Sequence, residues 1–204
     1  MRVIFQLFTG WGARLRYGLR SQCILPLFMV GLGLIAGGNL RAQPVVRDVE
    51  VKATLLFNFC HFVQWPEAAF PDAAAPFVIA ILGRDPFGKF LDDLVAGEET
   101  HGRPIVVRRA ARVEELVSAH LVYVSASEQA HIRRVVTALR GKPILTVGDE
   151  VGSGYTALGG LIGFSMERGN VKLRINLDEA RAVGLNISAK LLRVATVTST
   201  QNSP

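Results

Sequence analysis

Residues 76–82, PFVIAIL, form a short and almost wholly apolar run that is closed by Gly83. A run of this length without polar alternation is typical of a strand that is covered on both faces, as in a parallel sheet. Three more short apolar runs follow, and we also predict them to be strands: residues 104–107, 121–124 and 143–147. Buried strands of this kind require helices on each side of the sheet.

Helices are predicted between these strands. Asp85 followed by Pro86 is the pattern of an N-cap and a first helical residue, and we expect a helix from there to about residue 95. Residues 113–118 fit a short second helix, and Ser127 is expected to cap a third that runs to residue 139. Strands and helices therefore alternate, which favours a mostly parallel sheet.

A longer amphipathic helix precedes the first strand. From Val46 to Val63, apolar residues recur every three or four positions. The helix should end before Trp65 and Pro66, because a residue that precedes proline is pushed out of helical geometry.

The C-terminal part of the chain breaks the alternation. Residues 161–166 and 171–177 flank the turn sequence ERGN and predict a β-hairpin. Such a hairpin would extend the sheet with an antiparallel edge. The predicted fold is therefore α/β, with a mostly parallel sheet, helices on both faces and a C-terminal antiparallel β-hairpin at one edge.

Three polar residues are predicted to organise the segments that follow the hairpin. Asn176 lies where the second hairpin strand turns into a helix, and its side chain is expected to satisfy backbone groups there. We expect Asp178 to cap this short helix and Ser188 to cap the last helix, residues 189–197.

The first 42 residues have the pattern of an export signal peptide. A basic head without acidic residues is followed by the apolar run 23–38, and Ala42 is a small residue suited to cleavage before Gln43. We expect a periplasmic protein, the alternative being an uncleaved N-terminal membrane anchor. The predicted divisions are a signal peptide (1–42), a single α/β domain (43–195) and a flexible tail (196–204).

The basic character of the chain comes largely from this leader. The leader contains 5 of the 23 lysines and arginines and none of the 17 acidic residues. The remainder carries 18 basic against 17 acidic residues, a net charge of +1 rather than +6. We therefore predict no nucleic-acid partner.

Motifs of catalytic and cofactor sites are absent from the sequence. After export Cys60 would be the single cysteine, so no internal disulfide could form, and the four histidines have no metal-ligand spacing. We predict no catalytic residues, no cofactor and no metal, and therefore a protein that is not an enzyme. A redox role for Cys60 is left open.

The loops after the predicted strands suggest one alternative function. Open α/β sheets bind ligands beyond the carboxyl ends of their strands. The corresponding loops here are residues 83–87, 125–128 and 148–155. A periplasmic protein that binds or senses a small ligand is therefore an alternative.

Two segments are too specific for a generic α/β domain. They are residues 51–66, VKATLLFNFCHFVQWP, and residues 159–195, GGLIGFSMERGNVKLRINLDEARAVGLNISAKLLRVA. Three shorter motifs accompany them in order: LGRDPFG (82–88), GRPIVV (102–107) and LRGKPILTVG (139–148). Together they resemble the YfiR family of exported bacterial proteins, over nearly the whole predicted domain.

The resemblance implies a periplasmic regulator. Studied members of that family restrain an inner-membrane diguanylate cyclase by contacting its periplasmic sensor domain, which lowers cyclic di-GMP and biofilm formation. The resemblance also implies an α/β sandwich, no catalytic residues and a homodimer. Some relatives have cysteine pairs that are tied to redox control. This chain departs from that pattern, because Cys60 has no exported partner.

Phe57 is the predicted partner-binding residue. On a helix Phe59 and Phe62 point in nearly the same direction, whereas Phe57 is displaced from Phe59 by about 200°. An exposed aromatic side chain of this kind often dominates an interface. The competing interpretation is that Phe57 is buried against a second copy of the chain.

Overall fold

A mixed β-sheet forms the centre of the structure, a computed structural model that describes residues 44–152 and 154–198. The predicted signal peptide, residues 1–42, lies outside the described residues, and so does Cys23. The strands are β1 (Val63–Gln64), β2 (Phe77–Leu82), β3 (Glu99–Thr100), β4 (Arg103–Ala110), β5 (Leu121–Val124), β6 (Leu145–Asp149), β7 (Ile162–Glu167), β8 (Asn170–Asn176), β9 (Asn186–Ile187) and β10 (Ala195–Thr198).

In the described residues, five α-helices and four short 3₁₀ helices accompany these strands. The α-helices are α1 (Pro44–Phe62), α2 (Lys89–Val95), α3 (Ile132–Leu139), α4 (Leu177–Ala182) and α5 (Ala189–Leu192). The 3₁₀ helices are Glu67–Ala69, Val113–Leu116, Ala126–His131 and Thr156–Leu158.

The large sheet has the strand order β10-β8-β7-β6-β5-β2-β4-β3. Its middle strands, from β4 through β2, β5 and β6 to β7, pair in parallel, and β8 pairs antiparallel with β7. The predicted fold class, a mostly parallel sheet with a C-terminal antiparallel hairpin, is confirmed. The two-residue turn of the hairpin uses Arg168 and Gly169 with φ of +50° and +74°, as a tight hairpin requires.

Both faces of the sheet are buried, and this explains the apolar run in β2. Phe77, Ile79 and Ile81 belong to the core on the face that contacts α1 and α2. Their neighbours Val78, Ala80 and Leu82 belong to the core on the opposite face, where α3 packs. All six residues are buried because successive side chains of a strand point to opposite faces.

Two predicted helix starts are wrong because the side chains of Asp85 and Ser127 make other hydrogen bonds. Asp85 does not cap a helix: its Oδ1 accepts a hydrogen bond from Phe87 N at 2.7 Å, and α2 begins only at Lys89. This turn-forming bond competes with helix formation. Ser127 is not a cap either, because Ser125 is the N-cap of Ala126–His131 and the Ser127 hydroxyl accepts from Arg84 N at 2.9 Å.

The C-terminal segment also differs from the prediction. The cap of α4 is Asn176 and not Asp178, which lies in the first turn of the helix. Ser188 is the N-cap of α5, but that helix ends at Leu192. The chain then forms β10, which pairs in parallel with β8, so the hairpin is not the outermost element. Residues 196–198, predicted as part of a flexible tail, lie in this strand, and residues 199–204 lie outside the described residues.

Asn176 joins the sheet to the C-terminal helices. Its side chain is buried, and its Oδ1 accepts a hydrogen bond from Glu179 N at 3.2 Å. Its backbone N–H donates to Leu161 O at 2.9 Å. The amide therefore satisfies an N–H at the start of α4 while the backbone continues the sheet.

Replacing Asn176 with leucine should destabilise the protein. The substitution leaves Glu179 N–H without its acceptor in a partly buried position, and we expect a loss on the order of 1–3 kcal/mol in the free energy of unfolding. Urea unfolding measures this loss. Asn186→Leu is the control, because Asn186 is exposed and its side chain bonds only the exposed Gln64 at 3.4 Å. Equal effects of the two substitutions would contradict the capping role.

Candidate functional site

The loops at the carboxyl ends of β2 and β5 lie close together, as the strand order requires, but they bond to each other. The Ser127 hydroxyl accepts from Arg84 N, and a Cβ added to Gly83 would lie 2.4 Å from the same oxygen. The chain that follows β5 therefore covers the end of β2. We considered residues 83–87 and 125–128 as ligand-binding loops. In the structure, these two loops are hydrogen-bonded to each other at this point.

At the carboxyl end of the nearby strand β6, an ion pair joins the strand to α1. Lys52 of α1 reaches Asp149, with Nζ 2.6 Å from Oδ1, and the two side chains are only 16% and 19% exposed. The Tyr123 hydroxyl donates to the other oxygen of Asp149 at 3.3 Å. Burial, and then the charge of Asp149, raise the pKa of Tyr123, so its hydroxyl keeps the proton that it donates. These contacts fasten α1 to the sheet.

The glycine-rich segment after β6 accommodates a buried tyrosine. A Cβ on Gly160 would lie 2.1 Å from Cε1 of Tyr155, and a Cβ on Gly148 would lie 2.8 Å from the same ring. Tyr155 is only 2% exposed. These two glycines are therefore explained by close packing, and not by the phosphate of a cofactor.

An open groove of about 450 Å³ lies beside the carboxyl ends of the strands, on the α3 side. Leu82, Val113 and Val135 contribute its apolar surface. Charged residues of both signs, Arg112, Glu114, Glu128 and Arg134, also line it, together with His131. Its volume is in the range of small-molecule sites. This groove is the feature of the structure that best fits a ligand-binding alternative.

At the amino ends of the strands, His120 and Trp65 form an aromatic cluster. The His120 ring stacks on Phe70 at 4.3 Å and on Phe77 at 5.1 Å. Trp65 packs edge-on against Phe77 at 4.7 Å and donates from Nε1 to His120 O at 3.0 Å. The structure thus gives Trp65 a definite role, which is to hold the chain after α1 against the sheet.

Sequence reasoning missed both His120 and Arg103 in this cluster. The Arg103 guanidinium lies 4.0 Å from the centre of the Phe70 ring and donates to the carbonyls of Asp72 and Ala75, both at 2.8 Å. Beside it is an open groove of about 360 Å³, lined by Trp65, Phe70 and Arg103 among others. The residues of this cluster are far apart in the chain and come together only in the folded structure. No local sequence pattern therefore predicts the cluster. Pro66 follows Trp65 and lies near Gly184.

The aromatic residues of α1 divide between core and surface. Phe59 is buried and stacks on Phe164 at 6.2 Å, whereas Phe62 is half-buried. Phe57 is also half-buried, and its ring packs edge-on against the exposed His61 at 5.0 Å. Phe57 thus presents part of its ring to solvent from a helix that is firmly attached to the sheet.

The potentially reactive groups of α1 are poorly suited to chemistry. Cys60 is fully buried, its thiol lies 3.5 Å from Leu56 O, and burial raises the pKa of this thiol far above its ordinary value. A buried protonated thiol reacts slowly with oxidants. Partial burial, and then the charge of His101, lower the pKa of His61, which Glu98 partly opposes.

Neither a cluster of metal ligands nor a helix suited to cross a membrane occurs in the described residues. No group of three or more histidine, cysteine, aspartate or glutamate side chains that could hold a metal ion occurs in residues 44–152 and 154–198. In the same part of the chain, no helix has the length and apolar character that a membrane span requires.

Comparison with known proteins gives one family. The family model described as YfiR/HmsC-like matches residues 49–196. No curated protein shows significant similarity to the chain. A solved structure described as the ABC domain in complex with L-Trp from Streptococcus pneumonia is similar at a TM-score of 0.45 and 14% identity. The match covers 76% of this chain and 62% of that one, and similarity at this level does not establish a shared fold.

Replacing Lys52 with methionine should cost far more than losing a surface ion pair. The substitution leaves the largely buried Asp149 carboxylate without its cation, and we expect a loss on the order of 1–3 kcal/mol in the free energy of unfolding. The control is Lys89→Met, which removes the exposed pair with Asp93 and should cost no more than about 0.5 kcal/mol. Chemical unfolding of both variants checks the difference. Equal losses would show that the Lys52 contact does not fasten α1.

Proposed function

Because the chain belongs to the YfiR/HmsC-like family, we propose that it is a periplasmic regulatory protein that binds and restrains the sensor domain of an inner-membrane diguanylate cyclase. The family is one of periplasmic regulators associated with diguanylate cyclase signalling. The observation that carries the proposal is the extent of the family match, which includes every strand of the large sheet except the end of β10.

The reactive side chains of the described residues support binding rather than catalysis. The Cys60 thiol is buried and protonated. The His120 ring bonds the backbone through both nitrogens. The Ser127 hydroxyl accepts a hydrogen bond from a backbone N–H. A catalytic nucleophile or base needs an accessible group near a partner that activates it, and these groups have structural partners instead.

We place the partner contact on the solvent side of α1, around Phe57. The helix is a rigid platform, since the Lys52–Asp149 ion pair holds it and the Thr100 hydroxyl donates to Cys60 O at 2.7 Å. A partly exposed aromatic ring on a rigid element can bury its remaining surface without a large loss of side-chain entropy. The same surface could bury Phe57 against a second copy in a homodimer, which is the competing occupant.

Restraint of the cyclase must come from differential binding. A periplasmic domain reaches cytoplasmic chemistry only by favouring one conformation of a membrane-spanning partner. A coupling free energy of roughly 1–3 kcal/mol changes the partner's equilibrium by about 5- to 150-fold. A surface of ordinary size with one aromatic anchor is sufficient for such a coupling.

The groove of about 450 Å³ on the α3 side favours a second function, the binding or sensing of a small ligand. It lies next to the topological switch point of the sheet. At this point the strand order reverses, because β4 lies on one side of β2 and β5 on the other. Open α/β sheets bind ligands at such points. The mixed charges that line the groove would suit a ligand that carries both donors and acceptors.

Deleting the gene should raise cellular cyclic di-GMP and surface attachment. The increase should disappear when the partner cyclase is deleted as well, because the regulator acts only through that enzyme. A gene without its first 42 codons should fail to restore the low level, since its product would stay on the wrong side of the membrane. Cyclic di-GMP measured in cell extracts checks all three strains. An unchanged level in the deletion strain would favour the ligand-binding alternative.

Replacing Phe57 with serine should weaken binding to the periplasmic sensor domain of the cyclase by about 10-fold or more, as loss of an aromatic anchor does. Calorimetric titration of the purified proteins measures the affinity, and sedimentation measures the oligomeric state. Phe90→Ser is the matched control, because Phe90 is another phenylalanine with partial exposure, 40%, on the neighbouring helix α2. If Phe57→Ser dissociates a dimer but leaves sensor binding intact, Phe57 belongs to the dimer contact.

A further inference from the structure

His120 is held by contacts on every side of its ring. Phe70 and Phe77 stack on its two faces. Nδ1 accepts a hydrogen bond from Val78 N at 3.0 Å, and Nε2 lies 3.2 Å from Ala69 O, to which it donates. This arrangement specifies the neutral ring with its proton on Nε2, since Nδ1 must offer a lone pair to an N–H group.

If the ring took up a second proton, on Nδ1, the new N–H would have no hydrogen-bond acceptor in this arrangement. A proton on Nδ1 would face the N–H of Val78, so the bond would be replaced by a repulsive contact. The charged groups that act on the ring oppose the added charge as well, since Arg103 and Arg108 of β4 are both cations. Glu67 and His101 line the groove beyond Trp65 and Phe70, and β2 contributes only apolar side chains.

The contacts of His120 are also the contacts that hold the segment 66–75 to the sheet. Phe70 stacks on the ring, and Ala69 O accepts a hydrogen bond from Nε2. Phe70 in turn lies against Arg103, which bonds the carbonyls of Asp72 and Ala75. Displacing the ring therefore removes the support of Ala69 and Phe70 and of the groove wall to which Phe70 contributes, and leaves Arg103 as the remaining attachment of the segment.

We propose that His120 is an acid-sensitive latch whose protonation releases residues 66–75 from the sheet and widens the groove beside Trp65. The latch is independent of the proposed function, because it is defined by a local conformational change and not by a partner. It would let a chain exposed to a changing external pH alter one surface while its two cores stay intact.

The direction of the pH effect follows from burial. Burial, opposed by the bond to Ala69 and aided by the two arginines, lowers the pKa of His120 below its ordinary value of 6.5. His120 therefore binds a proton more readily in the unfolded or released state than in the closed state. The stabilising contribution is complete above pH 6.5 and is lost as the pH falls from there through the lower pKa of the closed state.

The experiment uses the tryptophan of the cluster as its reporter. The chain has two tryptophans, so Trp11→Phe in the full chain leaves Trp65 as the single one, whether or not the leader is removed. Trp65 fluorescence is recorded from about pH 7.5 to about pH 4.5, the range that spans histidine titration. Hydrogen–deuterium exchange of residues 66–75, corrected for the intrinsic pH dependence, is measured on the same samples.

We expect a red shift of Trp65 emission and a loss of protection in residues 66–75, with a common midpoint below the ordinary histidine value. His120→Asn should abolish both changes, because its amide oxygen still accepts from Val78 N–H but does not titrate. His131→Gln should leave them in place, since His131 is exposed. A change that persists in His120→Asn would overturn the proposal. If that variant does not fold, constant exchange of residues 66–75 across the pH range in the Trp11→Phe chain would overturn it equally.

Discussion

Burial of the central strands on both faces is the constraint on which the rest of the structure depends. β2, β5 and β6 lie in the middle of the sheet, and their side chains divide between two cores. Exposing the apolar side chains of either face to water is unfavourable, so α1 and α2 cover one face and α3 covers the other. The positions of the helices, and of every surface that they present, follow from this division.

Helix α1 connects the core to the proposed binding surface. Phe59 and Cys60 are fully buried, while Phe57 is half-buried and His61 is exposed on the same helix. A helix that carries both needs contacts that prevent it from rolling on the sheet. The Lys52–Asp149 ion pair supplies one near the middle of the helix, and the Thr100–Cys60 hydrogen bond supplies another near its C-terminal end. Mutations of these anchors should therefore affect partner binding without touching the binding surface.

The polar groups of this domain are used mainly to fix its loops. Ser127, Asn176 and Ser188 each accept a hydrogen bond from a backbone N–H. His120 satisfies the backbone with both ring nitrogens. Using polar side chains in this way leaves few of them for chemistry and produces a rigid domain with distinct surfaces. A regulator that acts by differential binding needs such rigidity, because a surface that adapts to every partner state cannot favour one.

The sequence by itself determined the fold class and the family, because apolar runs such as residues 76–82 and motifs such as VKATLLFNFCHFVQWP are local patterns. It did not determine which polar residue starts each helix, because Asp85, Ser127 and Asp178 all fit the cap pattern. Asp85 and Ser127 make other hydrogen bonds with their own side chains, and Asn176 takes the place of Asp178 as the cap. Nor did it reveal strand β10 or the cluster of Trp65, Phe70, Phe77 and His120. Those features depend on contacts between residues far apart in the chain, and only the tertiary structure brings such residues together.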